Sequence, residues 1–208
     1  GFSYPAFNQI ISHVARMRNR SRGRYTLPMV IRAPYGGGIR ALEHHSESTE
    51  AIYAQIPGLK VVIPSTPYDT KGLLIAAIRD PDPVLFLEPK RIYRAFRQDV
   101  PEEAYILPIG KARIVEEGED ITIVTWGAMV RDVQKASEMV KTKGINPEII
   151  DLRTISPIDR ETIADSIKKT GRLIVVHEAP KTLGVGAEIM ALANEEAFLY
   201  LEAPPTRI

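Results

Sequence analysis

The sequence lacks cysteine altogether, since none of its 208 residues is of that type. Disulfide bonds and thiolate metal sites are therefore excluded, and the composition fits a reducing compartment. An excess of charge is also missing, because 27 Lys and Arg stand against 26 Asp and Glu. This balance gives no electrostatic argument for a protein that binds nucleic acid or an anionic membrane.

Long apolar runs are absent as well. No stretch approaches the ~20 consecutive apolar residues that a membrane-spanning helix requires, and the first residues show no signal-peptide pattern. What the chain does have is a hydrophobic fraction of 44%. That fraction is enough to bury a core in one large domain or in two of about 100 residues each. We therefore expect a soluble globular protein.

Two common nucleotide-binding motifs are missing too. The three adjacent glycines Gly36, Gly37 and Gly38 match neither the G-x-G-x-x-G of a dinucleotide-binding fold nor a P-loop. A zinc site is not expected, because the four histidines lack ligand spacing and there is no thiolate.

Short apolar runs of strand length alternate with segments of helical periodicity along the chain. In the first half the pattern predicts helices over 6–18, from 46–48 onward and over 68–79, and strands over 28–33, 59–64 and 83–88. In the second half it predicts strands over 112–116, 121–126, 147–152, 173–177 and 198–202, and helices over 127–142, 159–169 and 183–197. The start of the helix predicted over 68–79 is especially well marked, because Thr66 suits the N-cap position, Pro67 the N1 position and Asp69 the N3 position.

This alternation predicts an α/β protein of two three-layer α/β/α domains with mostly parallel sheets. The rhythm is lost over residues 91–110, which we interpret as an interdomain linker. The expected organisation is a first domain over 1–90 and a second over 111–208.

The residues with the clearest chemical potential follow the glycine run. Ligands of open α/β sheets bind beyond the carboxyl ends of strands, and the strand predicted over 28–33 leads into these glycines. His44 and His45 come next, and on a regular backbone only one of them is expected to face a site. A neutral imidazole can donate one hydrogen bond and accept another, which suits binding or protonating an oxyanion. His177, beside Glu178 at a strand end, is interpreted as half of a satisfied structural pair, with the alternative that it lines a cleft, as residues at strand ends also do.

Motifs in matching order resemble the beta subunit of the thiamine-diphosphate-dependent 2-oxo acid dehydrogenases along essentially the whole chain. They lie at residues 35–38, 45–51, 57–67, 71–74, 86–90, 151–157 and 177–180. The His-Glu-Ala-Pro at 177–180 and the Leu-Glu-Ala-Pro at 201–204 favour the branched-chain enzymes, with the pyruvate enzymes as the alternative.

The resemblance implies a pyrimidine-binding-type domain followed by a transketolase C-terminal-like domain, truncated at the two ends of the chain. It implies a heterotetramer of two alpha and two beta subunits, in which alpha holds the diphosphate of thiamine diphosphate and Mg²⁺. The complex would also include a dihydrolipoyl acyltransferase core with subunit-binding and lipoyl domains. Such an enzyme lies in the cytoplasm, or in the mitochondrial matrix of a eukaryote.

The resemblance also implies roles for three residues. Phe2 matches the aromatic residue that stacks on the aminopyrimidine ring. His45, which directly precedes Ser-Glu-Ser, matches the active-site histidine that binds or protonates substrate and assists acyl transfer to the lipoyl arm. Asp80 matches the carboxylate of a structural potassium-type site.

One departure from the family concerns activity. The glutamate that hydrogen-bonds the aminopyrimidine lies, in the family, before the first residue of this sequence, and neither Glu47 nor Glu50 matches it. We therefore expect this polypeptide to be a fragment that is inactive alone.

Two other hypotheses stay open at this point. A transketolase or deoxyxylulose-phosphate synthase relative would share both domain types but carry the diphosphate domain on the same chain. A non-catalytic scaffold fragment would instead dock the acyltransferase core through its C-terminal domain.

Overall fold

The computed structural model describes all 208 residues and divides into two compact units. Unit 1 comprises Gly1–Gly110 with Thr154–Pro157, and unit 2 comprises Lys111–Arg153 with Ile158–Ile208. Segment 91–110, which we interpreted as a linker, thus lies within unit 1. It does so because the side chains of Leu107 and Tyr105 pack against Gly72, in the helix Pro67–Arg79 of that unit. The contact is close, since a Cβ added at Gly72 would lie 2.6 Å from Leu107 and 2.8 Å from Tyr105.

Nine strands and eight α-helices make up the two units. The strands are β1 Val30–Tyr35, β2 Lys60–Val62, β3 Val84–Pro89, β4 Arg113–Glu116, β5 Ile121–Thr125, β6 Pro147–Asp151, β7 Thr154–Ser156, β8 Leu173–Val176 and β9 Thr206–Arg207. The helices are α1 Phe7–Gln9, α2 Met17–Arg20, α3 Leu42–His45, α4 Glu50–Ala54, α5 Pro67–Arg79, α6 Met129–Lys141, α7 Arg160–Thr170 and α8 Val185–Ala197. None of these helices is both long and apolar enough to cross a membrane.

The sheet of unit 1 has the strand order β1-β3-β2-β7, with parallel pairing of β1 and β2 to β3. Its core forms where the fully buried Val62, Val84 and Phe86 meet Leu73 and Ala77 of α5. The predicted start of α5 is confirmed, because the Thr66 hydroxyl accepts a hydrogen bond of 3.0 Å from the Asp69 amide. This cap satisfies one of the amides that a helix start leaves without a partner.

Two predicted helices of unit 1 differ from the structure. The segment expected as one helix over 6–18 is interrupted by a π-helical turn, Ile10–Val14, because the amide of Ala15 donates to the carbonyl of Ile10 instead of one residue later. The helix expected from 46–48 starts at Glu50, since Ser46 instead closes α3 by accepting a bond from the Ala41 amide at 3.2 Å.

The sheet of unit 2 has the order β4-β6-β5-β8-β9, and only the pairing of β4 with β6 is antiparallel. Helix α7 has a capping residue at each end, and both are of types that mark helix ends in a sequence. The Asp159 side chain accepts from the Thr162 amide at its start, and Gly171 takes a left-handed φ of 70° at its end. The predicted α/β class with mostly parallel sheets is confirmed in both units.

The strand predicted over 198–202 is wrong. Residues Phe198–Tyr200 form a 3₁₀ turn, and the last strand of the sheet is β9 instead. Phe198 and Leu199 are 63% and 91% exposed, so this apolar run packs against no sheet. Strand β7 was missed, because it leaves the second half of the chain to pair antiparallel with β2 in unit 1.

Candidate functional site

The loop after β1 is shaped by backbone conformations that few residues adopt. Gly36 and Gly38 have φ of 86° and 88°, and the non-glycine residues Arg40 and Leu42 have φ of 55° and 45°. Left-handed non-glycine residues cost free energy and concentrate at functional sites. The Gly36 amide donates to the carbonyl of Glu47 at 3.0 Å and closes the loop. The loop therefore holds α3 in a fixed place beside the end of β1.

A cleft of about 260 Å³ lies between this loop, β1 and the first residues of the chain. We call it the Phe2 cleft; among its lining residues are Phe2, Pro34, His44, His45 and Glu47. It lies at the strand end where the sequence predicted a site. Both histidines line it, whereas only one was expected to face a site. Because α3 is a single short turn, its two last side chains both reach the cleft.

The aromatic rings of the Phe2 cleft are arranged as a group. The ring of Phe2, 70% exposed, stacks on His44 with centroids 5.3 Å apart and planes inclined by 14°. His45 is half-buried and tilted by 56°, with its ring centroid 5.8 Å from that of Phe2. Phe2 thus offers an exposed aromatic surface with a titratable ring on its border.

A phenol and a carboxylate complete the rim of the cleft. The Tyr4 hydroxyl donates to Glu47 at 3.3 Å. Burial, and after it the negative charge of Glu47, raises the pKa of the Tyr4 phenol above its ordinary value. Tyr4 therefore stays protonated near neutral pH and fixes the position of the Glu47 carboxylate.

Asp80 lies apart from Phe2 and His45, at the end of α5 that precedes β3. Its two oxygens accept bonds of 2.7 and 2.5 Å from the Lys60 ammonium, and one of them also accepts from the Asp82 amide at 2.9 Å. A cation at Asp80 would therefore share these oxygens with Lys60.

A second cleft of unit 1, about 500 Å³ in volume, was missed from the sequence. Glu88 lies on its wall and pairs with Arg32 and with the Tyr93 hydroxyl, each at 2.5 Å. Burial, followed by the bond to Glu88, holds the pKa of Tyr93 well above its usual value. Glu88 and Tyr93 lie in or next to the motif at 86–90, which is the signal that could have indicated them.

In unit 2 the residues that follow β5 and β8 meet at one edge of the sheet. Thr125 and Val176 are paired in register, so the next residues, Trp126 and His177, are neighbours. Their rings stack with centroids 5.4 Å apart and planes inclined by 11°. His177 is buried, and neither ring nitrogen has a hydrogen-bond partner within the protein. The interpretation of His177 as hydrogen-bonded to Glu178 is therefore wrong.

The chain contains no group of three or more His, Asp or Glu side chains that could hold a metal ion. The donors of the Phe2 cleft are two imidazoles and one carboxylate already bound by Tyr4. Together with the ring of Phe2, which can stack on a planar ligand, these groups can exchange protons with that ligand.

Comparison with known proteins agrees with the two units. Residues 1–95 match the family model of the transketolase pyrimidine-binding domain, and residues 110–208 match that of the transketolase C-terminal domain. A solved structure described as "Split gene transketolase, inactive beta4 tetramer" superposes with a TM-score of 0.78. It is 23% identical, and the match covers 100% of this chain and 62% of that one. At this identity the likeness shows the fold.

Curated relatives are closer in sequence. A protein from Acholeplasma laidlawii named pyruvate dehydrogenase E1 component subunit beta is 62% identical over 100% of this chain and 63% of its own length. The protein of that name from Bacillus subtilis is 53% identical over 100% of this chain and 64% of its own length. The chain thus spans a little under two thirds of these relatives. The part of the chain that matches the transketolase pyrimidine-binding domain thus precedes the part that matches the transketolase C-terminal domain.

Proposed function

We propose that this chain is part of the beta subunit of a thiamine-diphosphate-dependent pyruvate dehydrogenase, the component that decarboxylates the 2-oxo acid and passes the acyl group to lipoamide. The observation that carries the proposal is the Phe2 cleft, in which Phe2 and His45 lie together in a chain 62% identical to a relative of that name. The motifs at 177–180 and 201–204 favoured a branched-chain substrate. The names of the relatives support the pyruvate alternative.

The residues of the Phe2 cleft fit the pyrimidine end of the cofactor. A flat, 70% exposed ring suits stacking on an aminopyrimidine, and aromatic stacking favours offset, near-parallel rings. When bound, thiamine diphosphate supplies the electron sink for decarboxylation. The task of this chain is to bind and orient the pyrimidine and to handle protons beside it.

His45 is the proton carrier of the proposal. Its ring lines the Phe2 cleft and is inclined by 56° to that of Phe2 instead of stacked on it, so it borders the space in which a ligand would lie. An imidazole there donates a hydrogen bond to a developing oxyanion or, as imidazolium, transfers a proton to it, and the neutral ring that remains afterwards takes the proton back. His44 instead supports Phe2 from one side, because its ring is stacked on that of Phe2.

The diphosphate and Mg²⁺ are assigned to an alpha subunit. In this proposal the Phe2 cleft supplies only the pyrimidine half of a complete site. The assembly we propose is a heterotetramer with a second beta subunit, bound to a dihydrolipoyl acyltransferase core. A potassium ion at Asp80 remains a prediction, and such an ion would have to share the carboxylate with Lys60.

A reconstitution experiment tests the function. The chain, extended to the length of its relatives, is mixed with the alpha subunit, thiamine diphosphate and Mg²⁺, and the decarboxylation of pyruvate is compared with that of 3-methyl-2-oxobutanoate. We expect a higher kcat/KM with pyruvate. A preference for the branched substrate would overturn the pyruvate assignment, and no turnover of either would overturn the proposal.

The same materials test the dependence on alpha. Thiamine diphosphate is expected to leave the melting temperature of this chain unchanged when alpha is absent, because a ligand stabilises only the folded protein that binds it. A clear, saturable rise at modest cofactor concentration would show that the chain holds the cofactor by itself.

A further inference from the structure

His177 is a buried histidine that the proposed reaction does not use. It lies at the carboxyl end of β8, 5% exposed, and neither ring nitrogen has a hydrogen-bond partner within the protein. Buried polar groups are nearly always paired, because an unpaired one forfeits the hydrogen bonds that water gives it in the unfolded chain. The ring therefore requires a partner that the protein does not supply.

The unpaired edge of the ring is directed at the start of α8. One face of the imidazole is covered by Trp126. A Cβ at Gly184, the N-cap of α8, would come within 2.9 Å of the ring atom Cε1, and a Cβ at Gly186 within 2.7 Å of Nε2. Glycine at these two positions allows the nitrogen to lie against the first turn of a 13-residue helix.

The amino end of α8 and the Arg207 side chain bring hydrogen-bond donors and a positive charge to this place, beside the carboxylates of Glu178 and Glu188. The first amides of a helix have no acceptor within it and form the positive end of its dipole. The Arg207 side chain reaches the same turn, with its Cδ 3.2 Å from the Cβ position of Gly186, and donates to the Lys181 carbonyl at 2.7 Å. Burial first, then the charges of Arg207 and Lys181, lower the pKa of His177.

We propose that His177, Arg207 and the amino end of α8 form a binding site for an oxyanion, the carboxylate or phosphate group of a small ligand. A neutral imidazole can donate from Nε2, the helix amides donate beside it, and Arg207 supplies a charge that binds either group. The site goes beyond the proposed function, in which His177 has no role.

Nuclear magnetic resonance of the histidine rings tests the proposal on the 208-residue chain. With four histidines, each ring signal can be assigned by single substitution. Inorganic phosphate and acetate are titrated separately at constant ionic strength with chloride. We expect a saturable shift of the His177 signal with at least one of them, and a rise of its titration midpoint by about one pH unit, as an opposite charge favours imidazolium. The exposed His13 of unit 1 is expected not to respond.

The two anions distinguish the source of the ligand group. Tighter binding of phosphate indicates a phosphorylated ligand, and tighter binding of acetate indicates a carboxylic acid. The titration midpoint of His177 also depends on the charged groups around its ring. These are Arg207 of β9, Lys181 of the preceding loop, the adjacent Glu178 and the exposed Glu188 in the first turn of α8. No saturable shift with either anion would overturn the proposal.

Two variants and a matched control distinguish anion binding at this site from a general effect of the positive charge of the protein. Arg207→Gln should weaken anion binding about tenfold, the loss expected for one charged hydrogen bond. Lys181→Gln, in the exposed loop, should weaken it less and leaves the bond from Arg207 to the Lys181 carbonyl in place. Arg172→Gln removes an arginine just before β8, at the opposite end of that strand, and should bind like the parent chain. Equal binding by all three would contradict the proposed site.

Discussion

Phe2 stacks on His44, while His45, the next residue along α3, meets the same ring at a tilt of 56°. The two neighbouring imidazoles therefore have different surroundings. His44 covers one face of Phe2 and leaves the rest of that exposed ring for a ligand. His45 is inclined to the Phe2 ring and is not stacked on it, and this difference leads to opposite expectations for the two histidines.

His45→Ala should lower acyl transfer to the lipoyl domain about a hundredfold or more, the usual contribution of a positioned proton carrier. Affinity for thiamine diphosphate should change little, since the tilted ring is not the one stacked on Phe2. The measurement is acyl transfer by the alpha–beta assembly beside a direct cofactor titration. His44→Ala is the matched control and should affect cofactor affinity more than acyl transfer. Equal losses of acyl transfer in the two variants would refute the assignment to His45.

Phe2→Ala should raise the concentration of thiamine diphosphate needed for half-maximal activity by up to about tenfold, because it removes the stacking surface. Phe2→Tyr keeps the ring and should behave like the parent. The measurement is the cofactor dependence of turnover in the reconstituted assembly. An unchanged cofactor requirement in Phe2→Ala would show that the pyrimidine does not stack there.

Gly38→Ala should destabilise the chain by about 1–2 kcal/mol and also lower activity, because a side chain is strained at a φ of 88° and this loop positions α3. Gly23→Ala is the matched control, since Gly23 has a φ of 80° in the same unit with open space around its Cβ. It should lose somewhat less stability than Gly38→Ala, whose Cβ would also lie 2.5 Å from Cδ of Arg91, and it should keep its activity. Thermal unfolding followed by circular dichroism, together with the decarboxylation assay, compares the two. Full activity in Gly38→Ala would show that the loop does not position the histidines.

Local signals in the sequence predicted the parts of this fold that local chemistry determines. The start of α5 is an example, because Thr66 and Asp69 bond to each other and need no distant partner. Strand β7 was not predictable in this way. Residues Thr154–Ser156 pair with β2, about ninety residues earlier in the chain, and nothing in their own pattern indicates that strand.

The candidate site was also only partly predictable. The glycine run and the following histidines indicated the place, and the resemblance selected Phe2 and His45. The sequence could not show that both imidazoles line one cleft, since this depends on α3 being a single turn. Nor could it show that His177 lacks a partner, because that follows from the packing of α8 against its ring.

Asp80→Asn should destabilise the chain by about 1–3 kcal/mol, because it leaves the partly buried Lys60 ammonium without its counter-charge. Asp82→Asn is the control and should cost less, since Asp82 pairs with the more exposed Arg18. Melting temperatures of the parent chain in KCl and NaCl, compared at equal ionic strength, test the potassium prediction. A rise specific to K⁺ that disappears in Asp80→Asn would support an ion at Asp80, and identical melting in both salts would count against it.

Unit 2 should lose stability in acid partly through Asp159. Burial of this carboxyl opposes its charged form, but bonds from the Ala112 amide and from Thr162 outweigh it and hold the pKa of Asp159 below its ordinary value. A depressed pKa contributes stability that is fully present above the unfolded value of about 3.9. As the pH falls below that value the unfolded chain binds the proton first, so the contribution shrinks and disappears below the folded pKa.

Asp159→Asn keeps a capping side chain on α7 but removes the charge, so it isolates this effect. The variant should be less stable than the parent near neutral pH, and the difference should start to shrink as the pH falls below about 4 and disappear below the folded pKa of Asp159. Urea unfolding followed by the fluorescence of Trp126, the sole tryptophan, reports on unit 2. Glu161→Gln is the control, because Glu161 is exposed and should leave the pH dependence unchanged. A stability difference between Asp159→Asn and the parent that persists undiminished in acid would show that the charge of Asp159 does not stabilise the fold.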